Sequence, residues 1–137
     1  MKKILIIDDD KTGIIPLTVR LKAAGYQVRT AQDGLEGLKL AVRHPPDLIV
    51  MDIWMPQGMG ILTAQRLKHI GLAHVPVIFV TASTRESLWS IAEEVEPAGF
   101  FEKPYDSRQV LSTIAMVLDT RPQPTLAHAG STARQES

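Results

Sequence analysis

The stretch Asp47-Leu48-Ile49-Val50-Met51-Asp52 decides the fold of this chain. Its four consecutive apolar residues, followed directly by a carboxylate, are typical of a short strand buried on both faces of a parallel sheet. Similar apolar runs occupy Ile4–Ile7 and Val75–Val80, and Gly99–Glu102 is a weaker strand signal. Tyr26–Thr30 alternates apolar and polar residues instead, which predicts a strand at the edge of the sheet. The chain therefore contains five predicted strands.

Apolar residues at helical spacing follow each of these strands. Gly25 and Gly71 stand where a helix commonly ends, and His44-Pro45-Pro46 closes the second pattern. The residues that mark the five helical patterns are, in chain order, Leu17, Leu21 and Ala24; Leu35, Leu38 and Val42; Ile61, Leu62, Leu67 and Ile70; Leu88, Ile91, Ala92 and Val95; and Val110, Leu111, Ile114, Val117 and Leu118.

Five strand–helix units predict a parallel sheet with helices on both faces, because the crossover between parallel strands is nearly always right-handed. We expect a doubly wound α/β domain, a flavodoxin-like (βα)5 three-layer sandwich, over residues 1–120. The expected strand order is 2-1-3-4-5. Residues 121–137 are polar, contain two prolines and have almost no large apolar side chain, so they are predicted to be a disordered tail or a linker stub.

The composition of the 137-residue chain excludes several classes of protein. Fifteen basic side chains balance fifteen acidic ones, and a net charge of zero gives no support for direct contact with nucleic acid, which usually needs a basic face. The chain has no cysteine, which excludes disulfides and thiol catalysis. No segment approaches the ~20 apolar residues that span a bilayer. We therefore expect a soluble, cytoplasmic protein without a membrane contact.

Reactive side chains follow four of the predicted strands. Asp8-Asp9-Asp10 ends the first strand, Asp52 the third and Thr81-Ala82 the fourth, and the fifth runs into Lys103-Pro104. In an open parallel sheet, ligands bind at the carboxyl ends of the strands, where the strand order reverses. Several carboxylates, one hydroxyl and one ammonium are thus predicted to converge on one edge of the fold.

This set of groups indicates a metal and a phosphoryl group. Carboxylates held close together repel one another unless a cation neutralises them. Oxygen ligands at a water-accessible edge suit Mg²⁺, which prefers an octahedral shell that keeps some waters. A phosphoryl group between Mg²⁺ on one side and Lys103 and Thr81 on the other would have its charge neutralised, as phosphoryl transfer requires.

The motifs at the strand ends closely resemble those of response-regulator receiver domains of two-component signal transduction. The resemblance covers essentially all of residues 1–120. It is carried by the segments Ile4-Leu5-Ile6-Ile7-Asp8-Asp9-Asp10, Asp47-Leu48-Ile49-Val50-Met51-Asp52-Ile53-Trp54-Met55-Pro56, Pro76-Val77-Ile78-Phe79-Val80-Thr81-Ala82 and Phe101-Glu102-Lys103-Pro104.

The resemblance implies a role for each residue of the site. Asp52 resembles the phosphoacceptor, and Lys103 resembles the lysine that contacts the phosphoryl group. In this family the peptide bond between that lysine and the following proline, here Pro104, is commonly cis. Asp9, Asp52 and the backbone carbonyl of Trp54 resemble the direct Mg²⁺ ligands, with Asp8 acting through water. Thr81 matches the hydroxyl that turns toward the acyl phosphate, and Phe100 the aromatic switch residue. The backbone amides of Trp54 and Ala82 would complete the phosphoryl cradle.

The resemblance also implies partners. A sensor histidine kinase or a phosphotransfer protein would donate the phosphoryl group, and a downstream protein or an output domain would receive the signal. Such a protein is not an enzyme for a separate substrate, since it catalyses only its own phosphorylation and dephosphorylation. Self-association into a homodimer stays open at this point.

Two other functions fit parts of the sequence. The run Asp8-Asp9-Asp10-Lys11-Thr12 also matches the Asp-x-Asp-x-Thr signature of haloacid-dehalogenase-like phosphatases, in which the first aspartate is the nucleophile. That function leaves Asp52 unexplained, and the further acidic pair that such enzymes need after the lysine is missing. The second alternative is a degenerate receiver that acts only as an interaction module. The complete set of acidic, hydroxyl and lysine residues argues against it.

Overall fold

The computed structural model describes residues 1–53, 60–82 and 95–120. The predicted helix marked by Leu88, Ile91 and Ala92, the turn that contains Trp54, and the predicted tail 121–137 lie outside these residues. The described strands are β1 (Lys3–Ile7), β2 (Gln27–Ala31), β3 (Leu48–Asp52), β4 (Val77–Thr81) and β5 (Gly99–Glu102). The described helices are α1 (Lys11–Ala23), α2 (Gly34–Arg43), α3 (Gly60–Leu67), a π-helical turn (Lys68–Leu72) and α4 (Ser107–Thr120).

The five strands form one parallel sheet in the order β2-β1-β3-β4-β5, which confirms the predicted topology. The register aligns the carboxyl ends of the central strands, since Ile7 pairs with Met51 and Asp52 pairs with Val80. β2 lies at one edge of the sheet, as its alternating pattern predicted. The residues that follow β1, β3 and β4 are therefore brought to one side of the sheet.

Alternate residues of the strands face opposite layers, and each face has its own apolar cluster. On one face the strands pack against α2 and α3, and on the other against α1 and α4. The first cluster includes Leu5, Ile7, Ile49, Met51 and Phe79 from the strands with Ala41, Ile61, Ala64 and Leu67 from the helices. The second includes Ile4, Ile6, Leu48, Val50, Ile78 and Val80 with Ile14, Leu17, Leu21, Val110, Ile114 and Leu118. The structure is the predicted three-layer sandwich.

The helices begin and end near the capping and glycine residues of the sequence. Gly25 follows α1 with a φ of 99°, and Gly71 interrupts the helical geometry after α3 with a φ of 91°. A positive φ strains residues that carry a Cβ, so glycine is the natural residue at both places. Asp106 directly precedes α4, and its side chain accepts a hydrogen bond of 2.9 Å from the backbone N–H of Arg108.

Some apolar residues that marked the helices do not face the core. Leu35 is 50% exposed and Val42 is 59% exposed, although α2 itself forms where its pattern placed it. The residues of α2 that are buried are Gly34, Gly37 and Ala41. The periodicity located this helix correctly, and of its three marker residues Leu38 packs against the core whereas Leu35 and Val42 are exposed.

No helix among residues 1–53, 60–82 and 95–120 has both the length and the apolar character that crossing a bilayer would demand.

Candidate functional site

The carboxylates of Asp8, Asp9 and Asp52 come together at the carboxyl edge of the sheet. Each offers an oxygen, and these oxygens all lie within 4.8 Å of one another. Asp8 follows β1 and is 2% exposed, Asp52 ends β3 and is 6% exposed, and Asp9 is exposed. Two buried carboxylates beside a third, exposed one form a site that is open to solvent on one side. We refer to these three residues as the acidic cluster.

The third aspartate of the run after β1 has a different task. The Asp10 carboxylate accepts hydrogen bonds from the backbone N–H of Thr12 at 3.1 Å and from the Thr12 hydroxyl at 2.6 Å. It is therefore the N-cap of α1. The hydrogen bond from the Thr12 side chain, more than any other contact, lowers the pKa of Asp10 below its usual value. The sequence placed up to four carboxylates at this edge, and the structure brings three of them into the cluster.

Lys103 supplies the positive charge. Its Nζ lies 2.7 Å from Oδ2 of Asp8 and 3.2 Å from Oδ2 of Asp52. Burial opposes the charged form of this side chain, but the hydrogen bond to Asp8 and the charges of Asp52 and Asp8 outweigh it, so that the pKa of Lys103 is raised. The ammonium therefore stays protonated between the two buried carboxylates.

A backbone hydrogen bond fixes the position of Lys103 directly after β5. The backbone N–H of Lys103 donates to the carbonyl of Thr81 at 2.8 Å, which joins the ends of β4 and β5. The peptide bond between Lys103 and Pro104 is cis, as the family resemblance implied. Thr81 is fully buried, whereas Ala82 is exposed. The hydroxyl-bearing residue and the lysine thus sit on adjacent strand ends.

Backbone hydrogen bonds at the strand ends fix the positions of Asp8 and Asp52. The N–H of Asp8 donates to the carbonyl of Ala31 at 3.0 Å, and Oδ1 of Asp8 accepts from the N–H of Asp10 at 2.9 Å. After Asp52, the N–H of Ile53 donates to the carbonyl of Val80 at 3.3 Å. Both carboxylates are therefore carried by backbone that is fixed by neighbouring strands.

Phe100, the predicted switch residue, lies on β5 and is half-buried. Its ring centroid is 6.1 Å from that of Phe79, and the two ring planes are inclined at 57°. Phe79 is the residue paired with it on β4, two residues before Thr81. A side chain at position 100 can therefore respond to movement at the end of β4 through its contact with Phe79.

Two features of the site were not predicted. Gly60, the first residue of α3, donates its N–H to the carbonyl of Ile53 at 2.6 Å and lies against the backbone of Asp52. Tyr105 is half-buried beyond Pro104, and burial, with the negative charge of Asp8 next, raises the pKa of its phenol. Tyr105 had a sequence signal, since it follows the Lys-Pro motif directly. Gly60 had none beyond its place before a helical pattern.

The sequence matches the response regulator receiver domain family over residues 4–115. It is 36% identical to Protein PilH of Pseudomonas aeruginosa over 119 residues, which cover 86% of this chain and 98% of PilH. It is 34% identical over 117 residues to the alkaline phosphatase synthesis transcriptional regulatory protein PhoP of Bacillus subtilis, covering 85% of this chain and 48% of PhoP. The chain thus spans about half the length of PhoP and nearly all of PilH.

Solved structures show the same fold. The non-phosphorylated HemR receiver domain of Leptospira biflexa has a TM-score of 0.81 at 27% identity, with 90% of this chain and 99% of that chain covered. A CheY-like response regulator receiver domain protein of Methanospirillum hungatei has a TM-score of 0.81 at 25% identity, with 87% and 94% covered.

The chain belongs to the response regulator receiver domain family. Its class is that of the phosphoacceptor modules of two-component signal transduction, as the sequence predicted. The phosphatase alternative is not favoured. Asp8, which would be its nucleophile, is 2% exposed and has one carboxylate oxygen bonded to the Asp10 amide and the other to Lys103.

Proposed function

We propose that Asp52 accepts a phosphoryl group from a phosphohistidine of a sensor histidine kinase or phosphotransfer protein, and that the chain then signals to a downstream protein or output domain. The observation that carries this proposal is the position of Asp52. Its carboxylate lies in the acidic cluster, 3.2 Å from Nζ of Lys103, at the solvent-accessible edge of the sheet.

In the proposed step, an Asp52 oxygen attacks the phosphorus of the donor in line. A bond between that oxygen and phosphorus forms, the bond between the donor's imidazole nitrogen and phosphorus breaks, and the imidazole takes the electron pair. Lys103 neutralises the negative charge of the phosphoryl oxygens through its ammonium, which the carboxylates keep protonated. The hydroxyl of Thr81, at the end of the neighbouring strand, would donate a hydrogen bond to the acyl phosphate.

The acidic cluster fits Mg²⁺. Three carboxylate oxygens within 4.8 Å of one another, at an edge open to water, are the hard ligands and the partial hydration that this ion prefers. We propose Asp9 and Asp52 as direct ligands and Asp8 as a ligand through water; the third direct ligand inferred from the family, the carbonyl of Trp54, lies outside the described residues. Mg²⁺ bound there would offset the charge of the cluster and of the transferred phosphoryl group.

The proposed conformational switch involves Thr81 and Phe100, which lie on the neighbouring strands β4 and β5. If the Thr81 hydroxyl turns toward an acyl phosphate on Asp52, the end of β4 must adjust around it. Phe100 packs on Phe79, two residues upstream on that strand, and is only half-buried. We expect Phe100 to change its burial upon phosphorylation and to alter the surface offered to the downstream partner.

Phosphorylation by a small donor tests this function. The protein is incubated with acetyl phosphate and Mg²⁺, and its intact mass is measured at intervals. We expect the mass of one phosphoryl group to be added, and we expect a chelator of divalent cations to prevent it. If the protein gains no phosphoryl group at any Mg²⁺ concentration, it is the degenerate interaction module instead.

Asp9→Asn is expected to change stability in opposite directions with and without metal. Without metal, the three carboxylates of the cluster lie close together and repel one another, so removing the exposed charge of Asp9 relieves repulsion. We expect the free energy of unfolding to rise by up to about 1 kcal/mol, the scale of exposed charge pairs. Affinity for Mg²⁺ should fall at least about tenfold, since loss of an outer-shell partner alone costs that much.

Urea unfolding with and without Mg²⁺, together with calorimetric titration of Mg²⁺, measures both effects. Glu102→Gln is the matched control, because Glu102 is an exposed carboxylate at the end of β5 that does not belong to the cluster. The control should respond to Mg²⁺ as the wild type does. An Asp9→Asn protein that Mg²⁺ stabilises as much as the wild type would remove Asp9 from the metal site.

A further inference from the structure

The apolar stripe of α2 faces solvent beside the domain core. Leu35 and Val42 are 50% and 59% exposed, and Leu38 between them is half-buried because it also packs against the core cluster. Their spacing of three and four residues places them on one side of the helix, in the arrangement that forms the seam between two paired helices. An isolated exposed leucine needs no explanation, but an aligned set along a helix indicates a contact surface.

Glycines fix this orientation. Gly34 and Gly37 occupy the buried face of α2. A Cβ at Gly37 would come within 2.9 Å of Cγ1 of Ile7 and closer still to its Cδ1, and a Cβ at Gly34 would collide with the hydroxyl of Thr63. The helix therefore approaches β1 and α3 through residues without side chains. It cannot rotate its leucine stripe inward without losing that close packing.

The charges on α2 are divided between its two ends. Asp33 and Glu36 lie at the start of the helix, and Lys39 and Arg43 lie in its second half. In a twofold-symmetric antiparallel pair, the acidic end of one α2 lies beside the basic end of the other. The same symmetry sets Leu35 against Val42 of the second copy and brings the two Leu38 side chains together near the axis. Both the apolar and the charged groups are then self-complementary.

The exposed apolar pair on α1 lacks this property. Ile15 and Val19 are each 61% exposed, but the charged side chains along that helix are Lys11, Arg20 and Lys22, all basic. Two copies of α1 would bring like charges together, which disfavours pairing. Of these two helices, only α2 suits a contact with its own copy.

We propose that α2 is a self-association surface, through which two copies of this chain pair antiparallel about a twofold axis near Leu38. The contact is weak, because a stripe of three apolar residues is far smaller than the about 800 Å² per partner of a standard interface. The association is therefore dependent on concentration. It does not require phosphorylation of Asp52.

Sedimentation equilibrium of the full chain over a wide concentration range tests the proposal. We expect a monomer–dimer equilibrium for the wild type, and a rise of at least tenfold in the dissociation constant for Leu35→Glu/Val42→Glu. The matched control is Ile15→Glu/Val19→Glu on α1, which should dimerise as the wild type does. Circular dichroism checks that each variant is folded. A wild type that remains monomeric at every concentration, or an α2 variant that dimerises unchanged, overturns the proposal.

Cross-linking provides a second test that keeps the apolar stripe intact. The chain contains no cysteine, so a single introduced thiol is the only one present. Lys39→Cys places a thiol on α2 near the proposed axis, and Lys22→Cys places one on α1 away from it. Under mild oxidation we expect a disulfide-linked dimer to form at least tenfold faster at position 39. Equal rates at the two positions would assign any dimer to a different surface, and so would contradict the proposal.

Discussion

Lys103→Met is expected to slow phosphoryl transfer to Asp52 by about 100-fold or more, the usual loss when one preorganised charge donor is removed from a reaction centre. The ammonium lies 3.2 Å from Asp52 and 2.7 Å from Asp8, and methionine keeps much of the side-chain volume but carries no charge. The rate is measured with acetyl phosphate at saturating Mg²⁺, so that no protein donor contributes.

The same substitution should destabilise the metal-free protein. Asp8 and Asp52 are 2% and 6% exposed, and both would lose their shared cation. Breaking a buried ion pair by removal of one partner costs about 3–5 kcal/mol. We expect less here, up to about 3 kcal/mol, because this edge of the sheet is open to water. Mg²⁺ should restore part of the loss, since it replaces the missing positive charge.

Lys11→Met is the control for Lys103→Met. Lys11 is an exposed lysine at the start of α1, and among the described residues it forms no ion pair. Its removal should leave both the transfer rate and the unfolding free energy within experimental error of the wild type. A Lys103→Met protein that is phosphorylated within twofold of the wild-type rate would show that this ammonium does not take part in the transfer.

Gly60→Ala is expected to lower the free energy of unfolding by about 1–3 kcal/mol, although alanine favours a helix more than glycine does. A Cβ at position 60 would lie 3.0 Å from the carbonyl carbon of Asp52 and from Cα of Ile53, and closer still to the Asp52 carbonyl oxygen. These are backbone atoms of the strand that carries the proposed phosphoacceptor. Relief of the overlap would have to move β3 or α3, so phosphorylation should slow as well.

Gly13→Ala separates this overlap from the general effect of a helical glycine. Gly13 lies on α1, where the nearest atom to a new Cβ is a side-chain oxygen of Asp10 at an ordinary distance of 3.7 Å. Alanine there should be neutral or should stabilise the protein by up to about 1 kcal/mol. Chemical denaturation compares the two variants. If Gly60→Ala is as stable as Gly13→Ala, then the close approach of α3 to β3 is not needed for folding.

The fold could be predicted because its buried strands have a distinct sequence pattern, a short and continuous apolar run. Leu48–Met51 and Ile4–Ile7 are too short and too continuously apolar for surface helices, so they predict buried strands. A helical pattern between consecutive strands predicts crossover connections, and these produce a parallel sheet. The convergence of Asp8, Asp52, Thr81 and Lys103 at one edge then follows from topology alone, since parallel strands end on the same side.

What the sequence could not predict depends on distances between side chains and backbones. Their position after a strand does not by itself distinguish Asp8, Asp9 and Asp10, but the hydrogen bonds from Thr12 make Asp10 the helix cap, and the other two belong to the cluster. The leucine spacing in α2 predicted a helix without showing that Gly34 and Gly37 would take the buried face. An apolar period reports that a helix has an apolar face, and the tightness of packing decides which face is buried.

The most direct measurement is the chemical identification of the phosphorylated residue. The protein is phosphorylated with acetyl phosphate and Mg²⁺, the acyl phosphate is reduced with borohydride to convert its aspartate to homoserine, and the modified residue is located by peptide mass spectrometry. We predict that homoserine is found at position 52, and that the Asp52→Asn protein gains neither phosphate nor homoserine. Homoserine at position 8, or undiminished labelling of Asp52→Asn, would contradict the assignment of Asp52 as the phosphoacceptor.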